Sequence, residues 1–173
     1  MSSTSLPDTT ISLIGMPAAG KSTVGVILAK LTGLRFLDTD LEIQRREHAT
    51  LQEIIDRRGH QYLRQVEERV LLEVPLDEAI VSTGGSVVYS QAIMARLGRA
   101  GPVVYLEADL DTLAARVAAA PPRGIASDKG QSFADVYAER VPLYEHYARH
   151  TVDTSAGNAD LLANRIVEML TAN

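Results

Sequence analysis

One short stretch limits the fold more than any other: Gly15-Met16-Pro17-Ala18-Ala19-Gly20-Lys21-Ser22. It has the spacing G-x-x-x-x-G-K-[ST]. It stands between an apolar run, Ile11 to Ile14, and a segment whose Val24, Ile27, Leu28 and Leu31 fall on one helical face. A strand that passes into a helix through such a loop turns backbone N–H groups onto an anion, and the helix dipole favours negative charge there. The chemistry that fits is a nucleotide's phosphates, with Lys21 bridging the β- and γ-phosphates and Ser22 ligating Mg²⁺. Gly15, Ala18, Ala19, Gly20 and Thr23 complete the expected nucleotide site. A glycine-rich turn matching by chance is the alternative; the strand before it and the helix after it argue against that.

The rest of the chain reads as alternating strands and helices. Apolar runs at Ala79 to Ser82 and Val103 to Leu106 are strand candidates, with weaker ones at Arg35 to Leu37 and Thr151 to Val152. Helical patterns cover Lys21 to Leu31, Leu51 to Leu72 with a break near Gly59, Gln91 to Arg99, Leu110 to Ala119, Ser132 to Ala148 and Ala159 to Thr171. This alternation predicts an α/β fold, a parallel sheet covered by helices on both faces. Residues 1 to 10 are polar and read as a flexible leader, and residues 11 to 173 as a single domain. The polar insertion at 121–131 is long enough to be a functional loop.

Composition removes several classes of function. With 17 basic against 22 acidic residues the net charge is −5, and no basic cluster is interleaved with aromatics, so a nucleic-acid partner is not expected. The absence of cysteine excludes disulfides, thiolate metal sites and a cysteine nucleophile, and it fits a reducing, cytoplasmic setting. No apolar stretch approaches the length of a membrane span. Among proteins with such a loop, a GTPase switch would carry an Asn-Lys-x-Asp element, which is missing, and Asp56-Arg57-Arg58-Gly59 ends a helical pattern instead of following a buried strand. A large assembly ATPase would need a further helical domain. A small-molecule kinase using ATP and Mg²⁺ fits best, acting as a monomer or weak homodimer.

From Gly15 to Thr154 the sequence resembles the shikimate kinases. The shared marks are the loop with Thr23-Val24-Gly25, Asp38-Thr39-Asp40, Leu63-Arg64 with Glu67, Ser82-Thr83-Gly84-Gly85, Leu113 with Arg116, Pro122-Arg123, and Glu139-Arg140-Val141-Pro142-Leu143-Tyr144. The resemblance implies a three-layer P-loop kinase fold, a five-stranded parallel sheet flanked by helices with a lid at about 121–131. It implies phosphorylation of a small carboxylated alcohol, shikimate or another hydroxy acid such as homoserine or a small sugar acid. By the same resemblance Asp38 holds Mg²⁺ through water, Asp40 contacts the accepting hydroxyl, and Arg64 and Arg140 grip the acceptor's carboxylate. Gly84 and Gly85 bring the backbone close to the acceptor, Ser86 occupies the same acceptor loop, Arg123 closes over the transferring phosphoryl group, and Arg116 packs on the adenine. Each residue also has a plainer reading: Asp40 as a helix cap, Arg64 and Arg116 as surface arginines, Gly84-Gly85 as a turn. Glu67 is expected to aim Arg64.

Four places depart from the family pattern, most of them on the acceptor side. Ala18 replaces the loop's middle glycine, which is tolerable at an ordinary backbone angle. His60 and Leu63 stand where an acidic and an aromatic residue are usual. Ser86 replaces the third glycine of the substrate loop, placing a hydroxyl where it could contact or reject an acceptor. Arg123-Gly124-Ile125-Ala126 replaces the usual Arg-Pro-Leu-Leu of the lid.

Overall fold

The computed structural model of the chain describes residues 9–121, 125 and 130–172. Five parallel strands form one sheet in the order β2-β3-β1-β4-β5. They are β1 (Ile11–Ile14), β2 (Arg35–Asp38), β3 (Ala79–Ser82), β4 (Val103–Glu107) and β5 (His150–Asp153). Register is set by pairs such as Leu13 with Ser82 and Leu13 with Val104, so β1 is hydrogen-bonded on both edges. β1 and β3 are buried along their whole length, which is why they read as unbroken apolar runs. The outer strands β2 and β5 are largely exposed or half-buried, and their polar ends, Arg35 and His150, weakened their sequence signal.

The helices among the described residues are α1 (Lys21–Thr32), α2 (Thr39–Glu47), α3 (Leu51–Arg58), α4 (His60–Glu73), α5 (Gln91–Ala100), α6 (Leu110–Ala119), α7 (Phe133–Tyr147) and α8 (Ala159–Thr171). A 3₁₀ turn spans Val87–Tyr89. The expected break at Gly59 separates α3 from α4, and α3 opens on a capping box between Thr50 and Glu53. One helix, α2, has no apolar periodicity in the sequence and enters there only through the reading of Asp40 as a helix cap. Its only buried residues are Thr39 and Ile43, so it has almost no apolar stripe; Asp38 starts it, and Glu42 pairs with Arg45 and Arg46 along it.

Thr10, assigned to the leader by sequence, is buried, and its hydroxyl donates to the Leu76 carbonyl. The core therefore begins one residue earlier than expected. Much of the 121–131 insertion, Arg123 included, lies outside the described residues. Among the described residues no helix is long and apolar enough to cross a membrane.

The chain runs from β1 outward to β2 on one side, and from β3 across β1 to β4 on the other. Such a change of direction opens a crevice at the carboxyl ends of the strands, where open α/β sheets bind ligands. The loop after β1, Asp38 at the end of β2 and Ser82 at the end of β3 all lie on this edge.

Candidate active site

The phosphate loop joins β1 to α1, and Lys21 is the first residue of that helix. Its Nζ donates to the carbonyls of Gly15 and Met16, each at 2.8 Å, so the ammonium lies folded along the loop. Burial draws its pKa from 10.5 down to about 8, against the pull of Asp40. Gly20, at φ 93°, lets the chain turn into the helix. Ala18, at φ 68°, is left-handed as well. The expectation of an ordinary angle there is corrected: the position demands what glycine gives freely, and the alanine holds it at a cost of about 1 kcal/mol. Arg116 explains part of how it is held, for its guanidinium donates to the carbonyls of Ala18 at 3.3 Å and Thr154 at 2.8 Å. It thus braces the nucleotide loop from α6.

Ser22 is exposed at the helix start, and its hydroxyl donates to Asp38 Oδ2 at 2.6 Å and lies 3.2 Å from Ser82 Oγ. Asp38 Oδ1 accepts from the backbone N–H groups of Asp40 and Leu41, so the cap of α2 is Asp38 and not Asp40. Among the described residues no group of three or more His, Asp or Glu is arranged for a metal ion. The Ser22–Asp38 pair fits Mg²⁺ nonetheless, since this hard cation takes one or two protein oxygens and completes its shell with phosphate and water. Thr39, between the two aspartates, is fully buried; its hydroxyl donates to the Ser82 carbonyl and accepts from the Gly84 N–H. Thr83 donates in turn to the Leu13 carbonyl. These threonines fasten the ends of β1, β2 and β3 together.

The acceptor loop follows β3. A Cβ on Gly84 would stand 2.2 Å from Glu67 Oε1 and 3.3 Å from Asp40 Oδ1, and one on Gly85 would stand 2.9 Å from Arg140 Nη1. Both glycines therefore let the backbone approach the Glu67 and Arg140 side chains closely, and a Cβ at either would make those side-chain tips shift. Ser86 sits at an ordinary φ of −87°, is buried, and donates its hydroxyl to Glu67 Oε2. Burial pushes the Glu67 carboxyl up to about 7; the charge of Asp40 adds to the rise, while Ser86, Arg140 and Lys21 oppose it. Lys21, Asp40, Glu67 and Arg140, from four different helices, thus share one electrostatic environment.

Arg140 is 1% exposed, on α7, and donates from Nε to Tyr89 Oη at 3.3 Å. The Arg64 guanidinium, from α4, lies 4.3 Å from the centre of the Tyr89 ring. Tyr144 donates to the Gly85 carbonyl at 2.5 Å and stacks on Tyr105 at 5.2 Å. Sequence reasoning missed Ser82, Tyr89 and Tyr144 as contributors. Ser82 and Tyr144 lay inside family marks, whereas Tyr89 carried no signal of its own. Of the expected residues, the structure gathers Lys21, Ser22, Asp38, Asp40, Arg64, Gly84, Gly85, Ser86 and Arg140 on one edge of the sheet, and Arg123 lies outside the described residues.

A family model described as shikimate kinase matches residues 17–171. The chain belongs to the shikimate kinase family. A shikimate kinase of Vibrio vulnificus is 37% identical over 163 residues, covering 92% of this chain and 95% of the relative. One from Histophilus somni is 35% identical over 164 residues, with 92% and 94% covered. Among solved structures, a shikimate kinase from Acinetobacter baumannii in complex with shikimate superposes with a TM-score of 0.84 at 32% identity, covering 95% of this chain and 94% of that one. The structure gives Ala18 and Ser86 each a local partner: Arg116 for the one, Glu67 for the other.

Proposed function

We propose that this protein transfers the γ-phosphoryl group of ATP to a hydroxyl of shikimate, giving shikimate 3-phosphate and ADP. The observation that carries the reading is the gathering of Lys21, Asp40 and Arg140 around the Gly84-Gly85 turn, with Arg64 at its rim. In this reading the loop amides and Lys21 hold the β- and γ-phosphates, and Mg²⁺, held by Ser22 and Asp38, supplies charge neutralisation when bound. Asp40 orients the acceptor hydroxyl and takes its proton as the oxygen–phosphorus bond forms and the bond to ADP breaks. Arg64 and Arg140 bind the carboxylate, a task suited to planar forks with fixed donors.

Ser86 is one of the departures, with the lid residues Gly124-Ile125-Ala126, that favour a different hydroxy acid. Its hydroxyl is directed to Glu67, at an unstrained backbone angle, and so has a role that does not involve the acceptor. The test is ADP release with shikimate, homoserine and a panel of sugar acids. Shikimate is expected to give the highest kcat/KM. A protein that ignores shikimate and phosphorylates another carboxylated alcohol would lose the name and keep the mechanism; one that turns over no carboxylated alcohol would refute the reading.

A further inference from the structure

We propose that Tyr89 is a positioning residue for acceptor binding, its ring presenting the guanidiniums of Arg64 and Arg140 together to one carboxylate. This rests on the reading that the two arginines bind that carboxylate. Arg64 and Arg140 come from α4 and α7, and both meet the same ring, at 4.3 and 5.3 Å from its centre. Those separations are within the roughly 6 Å over which an aromatic quadrupole attracts a cation. The hydroxyl adds direction: it accepts from Arg140 Nε at 3.3 Å and donates to Glu139. Burial raises the Tyr89 phenol above its ordinary pKa, so the group stays a neutral donor.

The ring itself is fixed with respect to the acceptor loop. Val87 and Val88, beside it in the 3₁₀ turn, are buried, and the Tyr89 N–H donates to the Ser86 carbonyl at 3.1 Å. Two arginines aimed at one anion repel each other, and each has several torsions to fix. An electron-rich ring between their helices offsets the repulsion and removes part of that freedom before the acceptor arrives. The gain falls on acceptor binding, not on chemistry or nucleotide binding.

Steady-state kinetics of the full chain test this. Tyr89→Leu is expected to raise the shikimate KM about tenfold while kcat and the ATP KM stay within about twofold of wild type. Tyr89→Phe, which keeps the ring, should raise it no more than about threefold. In an Arg64→Lys background Tyr89→Leu should add less than about threefold, because the ring then has less to position. Thermal unfolding of each variant checks folding, and Tyr89→Met serves as a second ringless variant. Wild-type shikimate KM in both ringless variants, equal losses in kcat and ATP affinity, or a Phe variant as impaired as Leu would each overturn the proposal. If Arg64→Lys leaves the shikimate KM unchanged, the carboxylate reading falls and this proposal with it. If Arg64→Lys raises KM and Tyr89→Leu does not, only the role of Tyr89 falls.

Discussion

Asp38 divides its two carboxylate oxygens between the backbone and the proposed chemistry. Oδ1 caps α2, while Oδ2 accepts from Ser22, the residue expected at the metal. The two roles separate by substitution. Asn caps a helix about as well as Asp but carries no charge, whereas Ala loses the cap, at about 1 kcal/mol. Asp38→Asn should therefore leave the unfolding midpoint near wild type and raise the Mg²⁺ concentration needed for half-maximal activity several-fold. Asp38→Ala should show the same metal defect together with a midpoint lowered by roughly 2–4 °C. Thermal unfolding without Mg²⁺ and a Mg²⁺ titration of activity read the two effects independently; an Asn variant with an unaltered metal requirement would remove Asp38 from the metal site.

At the scale of elements, the acceptor side is tied together by one buried carboxyl. Glu67 on α4 accepts from Ser86 on the loop after β3, and burial holds its pKa near 7. Its ordinary value is 4.5, so between about pH 4.5 and 7 the folded protein binds more protons at this site than the unfolded chain does. Stability from this group therefore falls as pH rises through that window and levels off above it. Glu67→Gln keeps an acceptor for Ser86 without the charge. Denaturant unfolding at pH 5, 6, 7 and 8 should show a flatter profile for this variant and a smaller loss toward pH 8; a slope equal to wild type would place the proton elsewhere.

The same scale shows what sequence could and could not reveal. β1, β3 and β4 were legible because burial on both faces leaves an unbroken apolar run, and the phosphate loop because its spacing is fixed by the anion it wraps. α2 was not, because Thr39–Glu47 is held by a cap and ion pairs and buries only Ile43 of its apolar side chains. Asp38, Asp40, Arg64 and Arg140 were proposed from family spacing alone. Glu67 was expected to aim Arg64, and its bond to Ser86 could not be read, since Ser86 is itself the departure. Tyr89 stayed invisible because its partners sit on α4 and α7, far from it along the chain.

Over the whole molecule, the site is one electrostatic unit assembled by the sheet edge. α1 brings Lys21, α2 brings Asp40, α4 brings Glu67 and α7 brings Arg140, and each bears on the ionisation of Lys21. Burial, helped by the charge of Arg140, outweighs the three acids Asp40, Asp38 and Glu67, so Lys21 titrates near pH 8 in the free protein. A bound triphosphate adds negative charge beside the ammonium and must raise that value. The sign follows: above pH 8 the free protein has largely lost this proton and the complex retains it, so nucleotide binding takes up a proton, and affinity falls as pH rises. Calorimetric titration with MgATP at pH 8.5, in buffers of low and high ionisation enthalpy, should give apparent enthalpies that differ by a substantial fraction of one proton's worth of buffer ionisation. Lys21→Arg, whose guanidinium stays charged at this pH, should lose most of the difference even if it binds more weakly. A buffer-independent enthalpy in the wild type at pH 8.5 would mean that Lys21 is already fully protonated there, and that the acids around it offset its burial more completely than their positions imply.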